Sequence, residues 1–106
     1  MESEQFGFIV HNRLSSVEKT LDSKTDEYAR GDRLSNFKQI AGLLSCTPEK
    51  ALIGLVAKHI VATVDFINDI DRGVLQDYGK WDEKIGDIMA YMVLLDTLVH
   101  ERINNE

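Results

Sequence analysis

The chain of 106 residues has one cysteine, Cys46, one proline, Pro48, and only seven glycines. A lone cysteine excludes an internal disulfide and a cysteine-built zinc site, and it suits a reducing compartment. So few breakers favour long helices, because many short strands would need turn residues between them. Positive charge is also scarce. Twelve Lys and Arg against eighteen Asp and Glu leave a net charge of −6, which sets a nucleic-acid backbone aside as a partner. The longest apolar run is interrupted by Lys58 and His59, so no membrane span is expected. Met-Glu-Ser-Glu at the start carries no basic segment, so no secretory signal is expected and the cytoplasm is the default. Neither a glycine-rich phosphate loop nor a nucleophile elbow is found, so any phosphate recognition must rest on metal and side chains.

The composition is that of one ordinary folded domain, 43% apolar and 28% charged. Apolar periodicity predicts an all-α, four-helix bundle-like fold. A first helix is expected from about Gln5 to Asp22, with Phe6, Ile9, Val10, Leu14, Val17 and Leu21 at helical spacing. The stretch Lys24 to Arg33 has almost no apolar content. A shorter second helix follows with Leu34, Phe37, Ile40, Ala41 and Leu44, and Phe37 reads as core. Thr47-Pro48 is a start signal for the third helix, threonine as cap and proline at the first helical position. That helix should run to about Ile70 and stop near Gly73 on a left-handed cap. Gly73 to Lys80 reads as a loop, and Trp81-Asp82 as the opening of the fourth helix, with Asp82 as its cap. Third and fourth helices joined by roughly a dozen residues should lie antiparallel.

Two acidic pairs stand out on these helices. Asp65 and Asp69, and Glu83 and Asp87, are each four residues apart, which stacks like charges on one helix face at a small cost. If the third and fourth helices are antiparallel, all four carboxylates fall at similar heights. Four converging carboxylates would form a hard, oxygen-rich site suited to Mg²⁺ or Mn²⁺. The plainer reading is two solvated helix ends, with Glu83 stabilising a first turn. Lys58 either pairs with Asp65 along the helix or meets a substrate phosphate. His59 falls on the apolar stripe, as a core histidine or as a ligand. In the polar stretch, Lys24, Arg30 and Arg33 could neutralise phosphates and Tyr28 could stack on a base. Asn36 could read a base or ribose edge. An exposed loop is the plainer account of the same stretch.

Glu83-Lys84-Ile85-Gly86-Asp87, followed by Ile88-Met89-Ala90-Tyr91-Met92, resembles the second acidic motif of the MazG-like all-α NTP pyrophosphohydrolases. The stretch from Lys24 to Phe37 and the Lys58-His59 pair resemble a small branch of that superfamily carried by bacteria and phages. The resemblance implies a small, all-helical, oligomeric protein whose helix-borne acids hold Mg²⁺ while a nucleoside triphosphate is cleaved to monophosphate and pyrophosphate. It implies Glu83 and Asp87 as catalytic acids, with Asp65, Asp69, Glu83 and Asp87 as metal ligands. Lys24, Tyr28, Arg33, Asn36, Lys58 and His59 would be substrate contacts. There are departures: where the superfamily has a glutamate pair three apart, the third helix has Lys58, His59, Asp65 and Asp69, and Lys84 stands where many members have a second glutamate.

Three functions follow as expectations: a Mg²⁺-dependent nucleotide phosphoanhydride hydrolase, a nucleotide-binding module without turnover, or a small acidic interaction protein, for example an inhibitor. In every case self-association is expected. Ile88 to Leu95 is apolar throughout, and Ala51 to Ala57 and Ile60 to Val64 are nearly so. Two such helices would leave an uncovered apolar patch in a four-helix monomer, which a homodimer or higher homo-oligomer would bury.

Overall fold

The computed structural model describes the backbone at residues 1–27, 32 and 34–105, and the side chains of these residues except 24–27. The described residues form helices α1 (Ser3–Glu27), α2 (Ser35–Leu44), α3 (Pro48–Asp71) and α4 (Tyr78–Asn104), with no strand among them. Helix α3 begins as its sequence dictates, with the Thr47 hydroxyl accepting from the Lys50 amide at 3.2 Å and Pro48 in the first turn. It ends in a Schellman motif. Gly73 takes φ +81°, its amide donates to the Ile70 carbonyl, and the Val74 amide donates to the Asp69 carbonyl, both at 2.9 Å. Only a residue without Cβ enters that left-handed conformation without strain.

Two boundaries differ from expectation. Helix α1 continues to Glu27, because the first residues of the polar stretch include good helix formers and no breaker before Gly31. Helix α4 starts a turn early, capped by Asp77 rather than Asp82, with the Asp77 carboxylate accepting from the Gly79 amide at 3.3 Å. Gly79 in the first turn disguised this start as loop. The α3–α4 connection therefore shrinks to residues 72–77.

Three contacts set α3 and α4 antiparallel along most of their length. Glu49 at the start of α3 meets Arg102 near the end of α4, His59 meets Asp87, and Phe66 packs edge-on against Trp81 with ring centroids 5.3 Å apart. This is the most extensive helix pair in the molecule. The core lies where α2 closes over it. Leu34, Phe37, Leu52 and Leu98 are buried together, with Leu55, Tyr91, Leu94 and Leu95 packed around them. Among the described residues, Leu52 and Val56 are the two fully buried large side chains.

Helix α1 has α4 as its close backbone neighbour among the described residues. Its anchor is Arg13, whose guanidinium donates to the Asp82 carboxylate at 2.5 Å and lies against Gly86, 3.1 Å from where a Cβ would stand. Every residue from Met1 to Asn12 is exposed. The lone intervening charges do not keep α3 below membrane-spanning length: it is long and apolar enough by length and composition to cross one. In this fold, however, it packs Leu52 and Val56 inward and leaves its opposite face open.

Candidate functional site

The acidic motif of α4 reaches α3 at one point. His59 Nδ1 stands 3.6 Å from the Asp87 carboxylate, too far for a hydrogen bond but within ion-pair range if the imidazole is protonated. That nitrogen is fully buried and makes no hydrogen bond, while Asp87 is a third exposed and opens outward. Tyr91, one turn beyond Asp87, packs on the imidazole with ring centroids 6.0 Å apart and on Phe37 at 6.4 Å. Burial first, and the nearby Asp87 charge second, push the Tyr91 hydroxyl above its ordinary pKa of 10.0. Among the described residues no polar or charged residue is fully buried. The His59–Asp87–Tyr91 group links core to surface between α3 and α4, and nearer the end of α3 the Trp81 indole nitrogen, packed beside Phe66, is likewise buried without a hydrogen bond. Helical spacing explains the group: Glu83, Asp87 and Tyr91 lie four apart on one face, which Phe37 of α2 closes from the core side.

The other candidates are placed as follows. Glu83 is exposed one turn before Asp87, with its carboxylate 3.9 Å from the Lys84 ammonium. Asp65 is exposed on α3. Asp69 turns to its own helix end, where it accepts from Arg72 and, at 2.9 Å, from the Gln76 amide. Gln76 chiefly, then Arg72, holds the Asp69 carboxyl below its ordinary value. Lys58 points outward and makes no pair with Asp65, so the Lys58-His59 dipeptide divides between surface and interior, as residues about 100° apart on a helix must. Asn36 is exposed on α2. The Lys24 side chain, Tyr28, Arg30 and Arg33 lie outside the described residues.

Magnesium in enzyme sites is commonly held by one or two carboxylates together with substrate phosphates and water. Glu83 and Asp87 fit that minimal set. The structure does not bring the four carboxylates together: Asp69 is engaged at its own helix end, and the described residues include no cluster of three His, Cys, Asp or Glu placed to hold an ion. Sequence reasoning passed over Tyr91 as part of an apolar run, although its spacing from Glu83 and Asp87 was visible. It also missed the clamp between Glu49 and Arg102, whose two hydrogen bonds of 2.8 and 2.7 Å hold the Glu49 carboxyl below its ordinary value. Compared with known proteins, the chain matches no family model, no curated protein and no solved structure.

Proposed function

We propose that this chain binds a nucleotide through its phosphates and, with Mg²⁺ or Mn²⁺, hydrolyses nucleoside triphosphate to monophosphate and pyrophosphate, in the manner of the MazG-like proteins its acidic motif resembles. The observation that supports this reading is the His59–Asp87 contact, a histidine nitrogen sealed from water and facing a half-open carboxylate one turn from a second carboxylate. An unpaired buried nitrogen costs a folded core stability, and one that faces a carboxylate within ion-pair range calls for a role. In this reading Glu83 and Asp87 would hold the ion, which when bound would supply charge neutralisation and polarisation at the phosphoryl group. His59, itself packed on Tyr91, faces Asp87 at ion-pair range and orients it, and Asp87 accepts the proton of the attacking water.

The turn of Asp69 toward Arg72 and Gln76 favours a second reading, nucleotide binding without turnover, because it removes one acid from the expected set. Pyrophosphate release against a panel of nucleoside triphosphates, with Mg²⁺ and with chelator, tests both. Asp87→Asn should lower release by at least about a hundredfold, the order of a lost general base. It should leave the helical circular dichroism unchanged. If no nucleotide is cleaved but calorimetry finds binding that Asp87→Asn abolishes, the binding reading stands. If neither is seen, both fail.

A further inference from the structure

The outward face of α3 carries a second pattern that the core does not use. Ile53, Ala57, Ile60, Val64 and Ile67 follow one another at alternating steps of four and three, and all five are exposed. This 3.5-residue spacing is that of a helix seam packed against another helix. The same steps continue to Lys50 at one end and Asp71 at the other. Both are exposed, and neither side chain has a hydrogen-bond or ion-pair partner among the described residues. The seam thus begins with a cation, ends with an anion and is apolar between.

The whole molecule has surface to spare. Its accessible area is 7768 Å², whereas a folded monomer of 12.0 kDa should expose about 6,000 Å². The Cα radius of gyration is 16.4 Å, against about 13 Å for a compact chain of this length. The excess, roughly 1,800 Å², is shared with the exposed residues 1–12, and it is more than twice the ~800 Å² per partner of a standard interface.

We infer that the outward face of α3 is a two-fold homodimer interface, in which α3 packs antiparallel against α3 of a second copy. The end charges choose the direction. A parallel pair would set Lys50 beside Lys50 and Asp71 beside Asp71. A two-fold centred near Ile60 instead sets Lys50 within about one helical turn, ~6 Å along the axis, of the partner subunit's Asp71, and does so twice. Lys58 and Asp65, unpaired among the described residues, flank the same seam within a similar distance of each other across the axis. A closed two-fold of this kind is the commonest way to bury such a face. The inference is independent of any nucleotide.

Sedimentation velocity of the full chain at micromolar concentration should give twice 12.0 kDa. Ile60→Glu should return the mass to that of one chain with helicity retained, since Ile60 is 41% exposed and leaves the protomer core untouched. Leu43→Asp, equally apolar but 85% exposed on α2, should leave the dimer intact. Lys50→Glu should weaken the dimer by about tenfold, because two rim pairs become repulsive, and adding Asp71→Lys should restore it. With Cys46→Ser as background, Ile60→Cys should cross-link to its own copy under oxidation, since the axis brings that position against itself. A single-chain mass for the unmodified protein would overturn the inference, as would a dimer that survives Ile60→Glu or a charge swap that fails to restore it. Association with neutral phosphatidylcholine vesicles in place of a dimer would overturn it in favour of a bilayer.

Discussion

Helix α1 has 25 residues and α2 has 10, yet the shorter helix does more to close the core. Helix α2 buries Phe37 and Ala41, with Leu34 just before it, against both α3 and α4. Among its described side chains, helix α1 buries only Val17 and rests on α4 through Arg13, while Phe6, Phe8, Ile9 and Val10 stand exposed. Both helices carry aromatic and aliphatic residues at helical spacing, so apolar pattern alone does not decide burial. Position does. The short connection of residues 45–47 folds α2 back across the α3–α4 groove, where its apolar stripe meets two facing surfaces. Helix α1 lies on the far side of α4, where one neighbour can cover one stripe only. Local stability should follow the same division, high where α2, α3 and α4 meet and low in the first turns of α1.

Paired phenylalanine substitutions test that division most strongly. Phe37→Ala should destabilise by about 3–5 kcal/mol, the cost of a large cavity in a closed core. Phe8→Ala, in the open part of α1, should cost under about 0.5 kcal/mol. Both are measured by urea unfolding, and equal losses would show that α1 is as closed as α2. A smaller effect is expected from Arg13→Ala, which removes the ion pair to Asp82 and the bond to the Asp82 carbonyl. About 1 kcal/mol is expected, as for a half-exposed charged pair. Hydrogen exchange should quicken in α1 while α2 and α3 stay protected. Loss of protection throughout would mean that the two regions unfold as one.

The smallest effect is the pH response. Glu49, lowered chiefly by Arg102, and Asp69, lowered chiefly by Gln76, have folded-state pKa values below their ordinary 4.5 and 3.8. Their contribution is therefore complete above pH 4.5 and is lost as pH falls through the lowered values. Asp32, lowered chiefly by its bond from Lys38, behaves likewise below 3.8. Tyr91 acts at the other end. Its raised pKa makes its contribution complete below pH 10.0 and lost as pH rises further. Denaturant midpoints should thus stay flat between about pH 5 and 9 and fall on both sides, the acid fall reduced in Arg102→Ala. An unchanged acid limb in that variant would remove the clamp between α3 and α4 from the account.

The all-α class, the Thr47-Pro48 start, the Gly73 stop and the core role of Phe37 were legible in the sequence. Each depends on neighbours within one or two turns: a cap side chain and its amide, a glycine where φ must be positive, an apolar residue at a helical interval. Tertiary structure decided what the same letters could not. Asp82 reads as a helix cap, yet it sits inside α4 as the partner of Arg13, 69 residues away. Asp69 reads as a member of an acidic cluster but is drawn to Arg72 and Gln76, because the chain reverses just beyond it. His59 and Asp87 are joined only by the antiparallel register of α3 and α4, and the outward seam of α3 is set apart from the inward one only because α2 and α4 claim the other side. Backbone conformation is governed by short-range sterics and capping, which sequence states locally. Which apolar face is covered, and which charge finds a partner, depends on long-range packing, which no local pattern specifies.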